Sequence, residues 1–304
     1  MAKTIETARI NGQPQFRNFL LTLLGLSLLF IPVLHQLLKL SLADNLYSHL
    51  PLIPIVSGYL VWSMKSDLPE PSVPKRGLLL IPAILGCATI VFVLLSKGSK
   101  NWQLQDYLAA MTLAYVMLVI SSAFCFFGIN TLKAVQFPLA FLFCFIPLPT
   151  FAVHGLEFFF QYTSAEVAYW FINLMDIAVL RESWLVFRLS TITIEVASEC
   201  SGIRSSLVLF IVSLVAAHLF LRSQWKRIFL IIFIIPLAIV RNALRVATIA
   251  AVCVHIGPEM IDSWVHKRGG PYFFALSMVP FMMVLYILLK SEQKSKDNAI
   301  YENE

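Results

Sequence analysis

A helix needs about 20 consecutive, mostly apolar residues to cross the hydrocarbon core of a bilayer. This chain supplies eight runs near that length, at roughly 18–42, 47–64, 77–96, 107–128, 133–150, 203–221, 228–254 and 271–289. Inside lipid every backbone N–H and C=O must be satisfied within its own segment or a closed barrel, so long apolar runs become helices. Only 13% of the residues are charged, against about 25% in an ordinary soluble domain. The fold expected is therefore an all-α polytopic membrane protein with about eight transmembrane helices. Two runs, 47–64 and 133–150, are short and carry prolines, which suits a tilted or re-entrant segment. No internal repeat interrupts the pattern, so residues 1–304 read as one integral membrane domain, with 291–304 as a polar, disordered cytoplasmic tail.

The first run could be mistaken for a secretory leader, because Lys3, Arg9 and Arg17 precede it and Ser41-Leu42-Ala43 resembles a cleavage site. An apolar stretch from Phe19 to Leu42 is far longer than the roughly 7–15 residues of a leader's apolar core. It reads as an uncleaved first span.

The net charge of +6 does not point to nucleic acid, because the basic residues form short clusters between apolar runs. Cytoplasmic loops carry the excess of Lys and Arg. With the N-terminus in the cytoplasm and eight spans, 13 basic residues fall in cytoplasmic segments, 7 fall outside, and Lys39, Arg241 and Arg245 lie within spans. Both termini are then cytoplasmic in a cell-membrane protein.

The longest outer segment spans 151–202. Residues 155–175 mix apolar and polar groups at helical spacing, which predicts a helix lying at the interface with Tyr169 and Trp170 as anchors. Residues 184–197, WLVFRLSTITIEVA, are β-branched, aromatic and alternating, which predicts a short strand or hairpin. It delivers the chain to VASECSGIRSS.

Five cysteines are present, with no CxxC or Cys/His spacing suited to zinc. Cys87, Cys125, Cys144 and Cys253 lie in apolar runs and read as small packing residues. Cys200 differs, having Glu199, Ser201 and Gly202 for neighbours. Placed where the sixth helix begins, a thiolate gains from the free amides and the dipole, and Arg204 adds positive charge. The plainer alternative is a small residue at a helix start. Arg241 and Arg245, four residues apart in IVRNALRVATIAAV, share a helix face with Asn242 nearby. An arginine inside a span costs about 2.5–3.5 kcal/mol on the lenient insertion scale, so a pair marks a functional site; helix-to-helix pairing with Glu195, Glu199 or Asp262 is the structural alternative. His266, in SWVHKRGGPYF, falls on the same outer face, with His255 as a competitor. A cysteine nucleophile, a histidine that shuttles a proton and a cation for the oxyanion together suit acyl transfer.

ECSGIRSS, RNALRVATIA and WVHKRGG, in that order, resemble the exosortase/archaeosortase family of membrane transpeptidases, as does the upstream FPLAFLFCFIPLPTF. The resemblance covers roughly residues 100–290. It implies a cysteine peptidase or transpeptidase, without metal or organic cofactor, acting at the outer face of the cytoplasmic membrane. Its partners would be exported proteins with a C-terminal sorting signal: a short motif such as Pro-Glu-Pro, a transmembrane helix and a basic cluster. The freed carboxyl end would pass to a lipid or glycan acceptor. The family's cysteine falls on Cys200, its histidine on His266 and, through the Asn-x-x-Arg spacing from Asn242, its arginine on Arg245, with Arg241 the second choice. Ser201, Gly202 and Asn242 support them. A transporter using the two arginines as an anion pathway, or a membrane protein of polysaccharide assembly with structural arginines, are the rival readings.

Overall fold

Proline and glycine decide which apolar runs stay straight and which break. The computed structural model describes residues 14–66, 68–69, 76–96, 102–190, 192–196, 201–262 and 269–301. These form two compact units, Met1–Phe151 and Ala152–Glu304.

In the first unit, the run expected to be one span is two helices, α1 (Pro14–Leu29) and α2 (Ile31–Ala43), bent by 73°. Pro32 lies in the first turn of α2, where its missing N–H costs nothing. Helix α3 (Leu52–Ser63) has 12 residues; at 1.5 Å per residue it is about 18 Å long, short of the roughly 30 Å hydrocarbon core. Helix α4 (Arg76–Ser96) lies along α5 (Leu104–Ala134). A Cβ on Gly86 would sit 3.1 Å from the Ala114 carbonyl, so this glycine sets their approach. Helix α5 kinks at Gly128, whose φ of 71° no β-branched residue would hold cheaply. The proline-bearing fifth run yields only α6 (Gln136–Phe141) and a 3₁₀ turn, Leu142–Phe145.

In the second unit, α7 (Thr150–Leu174) runs 25 residues and contains the segment read as interfacial. Three antiparallel strands follow, β1 (Val179–Ser183), β2 (Val186–Leu189) and β3 (Thr193–Glu195), in the order β1-β2-β3. The alternating stretch 184–197 is thus the β2–β3 hairpin; β1, with its charged RES end, was not read as a strand. Helices α8 (Ile203–Phe220), α9 (Gln224–His255) and α10 (Gly270–Tyr301) complete the unit. Its core joins the inner sheet face (Phe187, Leu189, Ile194, Val196) to Ala165 and Ala168 of α7 and to Ala243, Ala247 and Ala250 of α9. Small residues let backbones approach closely where lipid offers no hydrophobic drive to associate.

Among the described residues, four helices are long and apolar enough to cross a membrane: Leu104–Ala134, Ile203–Phe220, Gln224–His255 and Gly270–Lys294. The number becomes six if α1 with α2, and Gln136–Phe145 with Thr150–Leu174, each form one broken span. The eight expected spans are not confirmed. The runs not among the four are 18–42 and 133–150, which are bent, 47–64, whose helix α3 is short, and 77–96, whose apolar helix covers Leu80–Ser96.

Candidate active site

The site is built in the second unit, where the hairpin meets the start of α8 beside α9. Cys200 and His266 lie outside the described residues, as do Glu199 and the loop around His266. What the structure describes is the frame around them.

Gly202 is the N-cap of α8 with φ 76° and ψ 9°, left-handed backbone that glycine adopts without penalty. Its carbonyl is the hub of the frame. It accepts from the Ser206 amide at 3.1 Å, the Ser206 hydroxyl at 2.8 Å and the Ser205 hydroxyl at 3.1 Å. Arg241 Nη2 adds a fourth bond at 3.1 Å and also donates to Ser206 Oγ at 3.2 Å. A Cβ on Gly202 would stand 3.0 Å from Asn242 Oδ1 and 3.1 Å from Arg241 Nη2. The turn after Cys200 is therefore pressed directly onto the Arg241-Asn242 step of α9.

Arg241 is 5% exposed and Asn242 3%. Among the described residues no carboxylate lies within ion-pair reach of Arg241, and its Nη1 is buried without a hydrogen-bond partner. Glu195, one suggested counter-ion, is exposed instead. Arg245 is half-buried one turn further along the same helix. Ser201 is 1% exposed, and its hydroxyl meets no partner among the described residues. Arg204 points outward from the first turn of α8, and His255, the competing histidine, is exposed at the end of α9. Of the other cysteines, Cys253 is buried in α9 and none of the four forms a disulfide.

Sequence reasoning missed several framing residues. Ser206 stands in the quoted ECSGIRSS, one turn after Gly202, but nothing in its type marks it as the acceptor for Arg241. Gln161 of α7 donates its amide to the Val196 carbonyl, fixing the strand's exit. Arg181 of β1 makes a two-pronged ion pair with Glu166 of α7, at 2.5 and 3.0 Å, and lies 4.7 Å from the Trp184 ring. The hydrogen bonds it donates to Glu166 raise the pKa of this guanidinium above its ordinary value.

A family model for the transmembrane exosortase matches residues 40–283, far more than half of the 304-residue chain. No curated protein and no solved structure matches it. The match spans both units and every element just described, from the hairpin through the glycine turn to the arginine helix: the chain belongs to the transmembrane exosortase family.

Proposed function

We propose that this protein is a membrane-embedded cysteine transpeptidase or protease that cleaves C-terminal sorting signals of exported proteins. The reading assigns the Cys200 thiolate as nucleophile toward the scissile carbonyl. Arg245 stabilises the tetrahedral oxyanion, His266 protonates the leaving amine, and a thioacyl-enzyme forms. His266 then takes the proton of the incoming nucleophile, which releases the acyl group to a lipid or glycan acceptor or to water. The site faces the outer side of the cytoplasmic membrane, with both termini inside.

One observation carries this reading. The Arg241-Asn242 step of α9 is hydrogen-bonded and packed onto the turn two residues after Cys200. A charge that costs kilocalories to bury is thus spent beside the proposed nucleophile. It also bears on the choice between the two arginines. The guanidinium of Arg241 already spends hydrogen bonds on Gly202 and Ser206, which suits a positioning role and supports assigning the oxyanion to Arg245, with Arg241 the second choice.

The test is to replace Cys200 with alanine in the native host and profile membrane proteins by mass and C-terminal sequence. Proteins with a transmembrane tail and basic cluster should accumulate uncut. Unchanged C-termini with such proteins expressed would refute the mechanism and favour a transport or structural role for the arginines.

A further inference from the structure

The sheet has two edges, and they differ. At β1 the ladder is interrupted by a register shift between Arg181 and Ser183, and Arg181 is tied to Glu166. Bulges and charged side chains are how proteins keep an edge from pairing with another strand. At β3 neither bulge nor proline is present, and its one charged side chain is the exposed Glu195.

The direction of the β3 backbone groups follows from the register. Leu189 N donates to Ile192 O at 2.8 Å, Val196 N donates to Leu185 O at 2.8 Å, and Phe187 lies opposite Ile194. Bonded pairs alternate along an antiparallel ladder. Residues 192, 194 and 196 therefore spend their main-chain groups on β2. Those of Thr193 and Glu195 point the other way. Both residues are exposed, and among the described residues no strand pairs with that side. The strand is held firmly beneath, because Ile194 is 7% and Val196 1% exposed in the core shared with α9.

We propose that the outer edge of β3 binds the scissile segment of the substrate by strand addition, pairing it with the main-chain groups of Thr193 and Glu195. The inference rests on the reading of Cys200 as nucleophile. Two outward N–H donors and two outward C=O acceptors, spaced two residues apart, match an extended peptide backbone and no compact ligand. The occupant is the extended stretch of an exported protein between its outer domain and its membrane-spanning tail. Such a stretch must be unfolded to be cut, and on the proposed reading it leaves the membrane on the side where helix α8 begins. Reach is sufficient. Cys200 is five residues from Glu195, so its Cα lies within about 18 Å of it, and about five residues of a paired substrate cover the same distance. Main-chain pairing supplies affinity and register, while side-chain selection is left to the surroundings of the nucleophile.

The experiment uses proline as a main-chain probe in the native host. Thr193→Pro deletes one outward N–H that the fold itself does not use. Val179→Pro does the same on the blunted edge, since Val179 is opposite Leu189, whose groups turn toward β3. The substrate is a host protein whose uncut tail accumulates in the Cys200→Ala strain. Thr193→Pro should slow its cutting about tenfold, near the upper worth of one net hydrogen bond, with the alkylation rate of Cys200 unchanged. Val179→Pro should cut within about twofold of wild type. Cutting at the wild-type rate by Thr193→Pro overturns the proposal and leaves the nucleophile assignment intact. If Thr193→Pro does not accumulate, Thr193→Cys in the Cys200→Ala background is cross-linked to single cysteines along the substrate tail. Cross-links at alternate substrate positions support strand addition; none, or a uniform pattern, refutes it. A Cys200→Ala strain with no uncut protein refutes the nucleophile reading, and this inference falls with it.

Discussion

Replacing Gly202 with alanine perturbs the frame at its hub. Two costs add. The first is backbone: a non-glycine residue at φ 76° costs about 1–2 kcal/mol. The second comes from the new methyl, which would meet Asn242 Oδ1 at 3.0 Å and Arg241 Nη2 at 3.1 Å. Both neighbours are buried on α9, so neither can swing into solvent. Relief requires Arg241 to loosen its bonds to Gly202 O and Ser206 Oγ, and a hydrogen bond from a charged donor is worth about 1.5–3 kcal/mol. The sum is about 2.5–5 kcal/mol, a large share of the stability of an ordinary domain.

The assay is unfolding of the purified protein in mixed micelles, titrated with a denaturing detergent and followed by tryptophan fluorescence. Gly155→Ala is the matched control. A Cβ there meets nothing within 4 Å, and the site is inside helix α7, so alanine should stabilise by about 0.5–1 kcal/mol. Gly202→Asn separates the two costs. Asparagine tolerates the left-handed region better than alanine but brings the same Cβ. If the contact with α9 dominates, asparagine is no better than alanine. Gly202→Ala within about 0.5 kcal/mol of wild type would refute the whole argument, because neither the backbone nor the contact would then constrain the turn.

Two further outcomes follow from the same geometry. Arg241→Lys keeps the charge but loses the fork that reaches Gly202 O and Ser206 Oγ together; it should change the alkylation rate of Cys200 and lower processing at least about tenfold, whereas Arg245→Lys should lower processing with the alkylation rate less affected, and equal effects on alkylation would refute the division of roles. Arg181→Ala removes the pair with Glu166 and the contact with Trp184, which should destabilise the sheet by about 1–2 kcal/mol, read as faster limited proteolysis between β1 and β2; an unchanged rate would refute it.

The sequence made the membrane class and the hairpin legible because each has a strong period: long apolar runs in one case, WLVFRLSTITIEVA in the other. It made the pair Arg241 and Arg245 legible because charge inside a span is expensive. It left the span count open, and the reasons are local. Pro32 follows an unbroken apolar run, and hydropathy does not register the 73° bend between α1 and α2. The run at 133–150 has the composition of a span, yet α6 stops after six residues and the prolines at 147 and 149 preclude its continuation as a regular helix. Strand β1 was hidden because Arg181, Glu182 and Ser183 look like loop until the partner Glu166, fifteen residues away on helix α7, is in place. Ser206 was hidden for a similar reason: a serine in a helix is ordinary until an arginine 35 residues later in the sequence is found donating to it.

The cost of burying Arg241 bears on function more than on stability. Inside a span the usual remedy is a carboxylate, and among the described residues none is within ion-pair reach. Neutral acceptors, Gly202 O and Ser206 Oγ, take two bonds from Nη2, while Nη1 is buried without a hydrogen-bond partner. A guanidinium held by dipoles keeps its full positive field, and a carboxylate would have cancelled it. Arg245, one turn on, adds a second positive charge on the same helix, and the N-terminal amides of α8 add a third contribution of the same sign. Arg241 and the α8 amides act at the turn that follows Cys200. On the proposed mechanism, such a field favours what becomes negative there, first a thiolate and then an oxyanion, without reorganisation at the moment of reaction. Among the described residues the frame spends burial energy on Arg241 without a counter-ion, which is the arrangement the proposed mechanism, with its developing negative charge, would use.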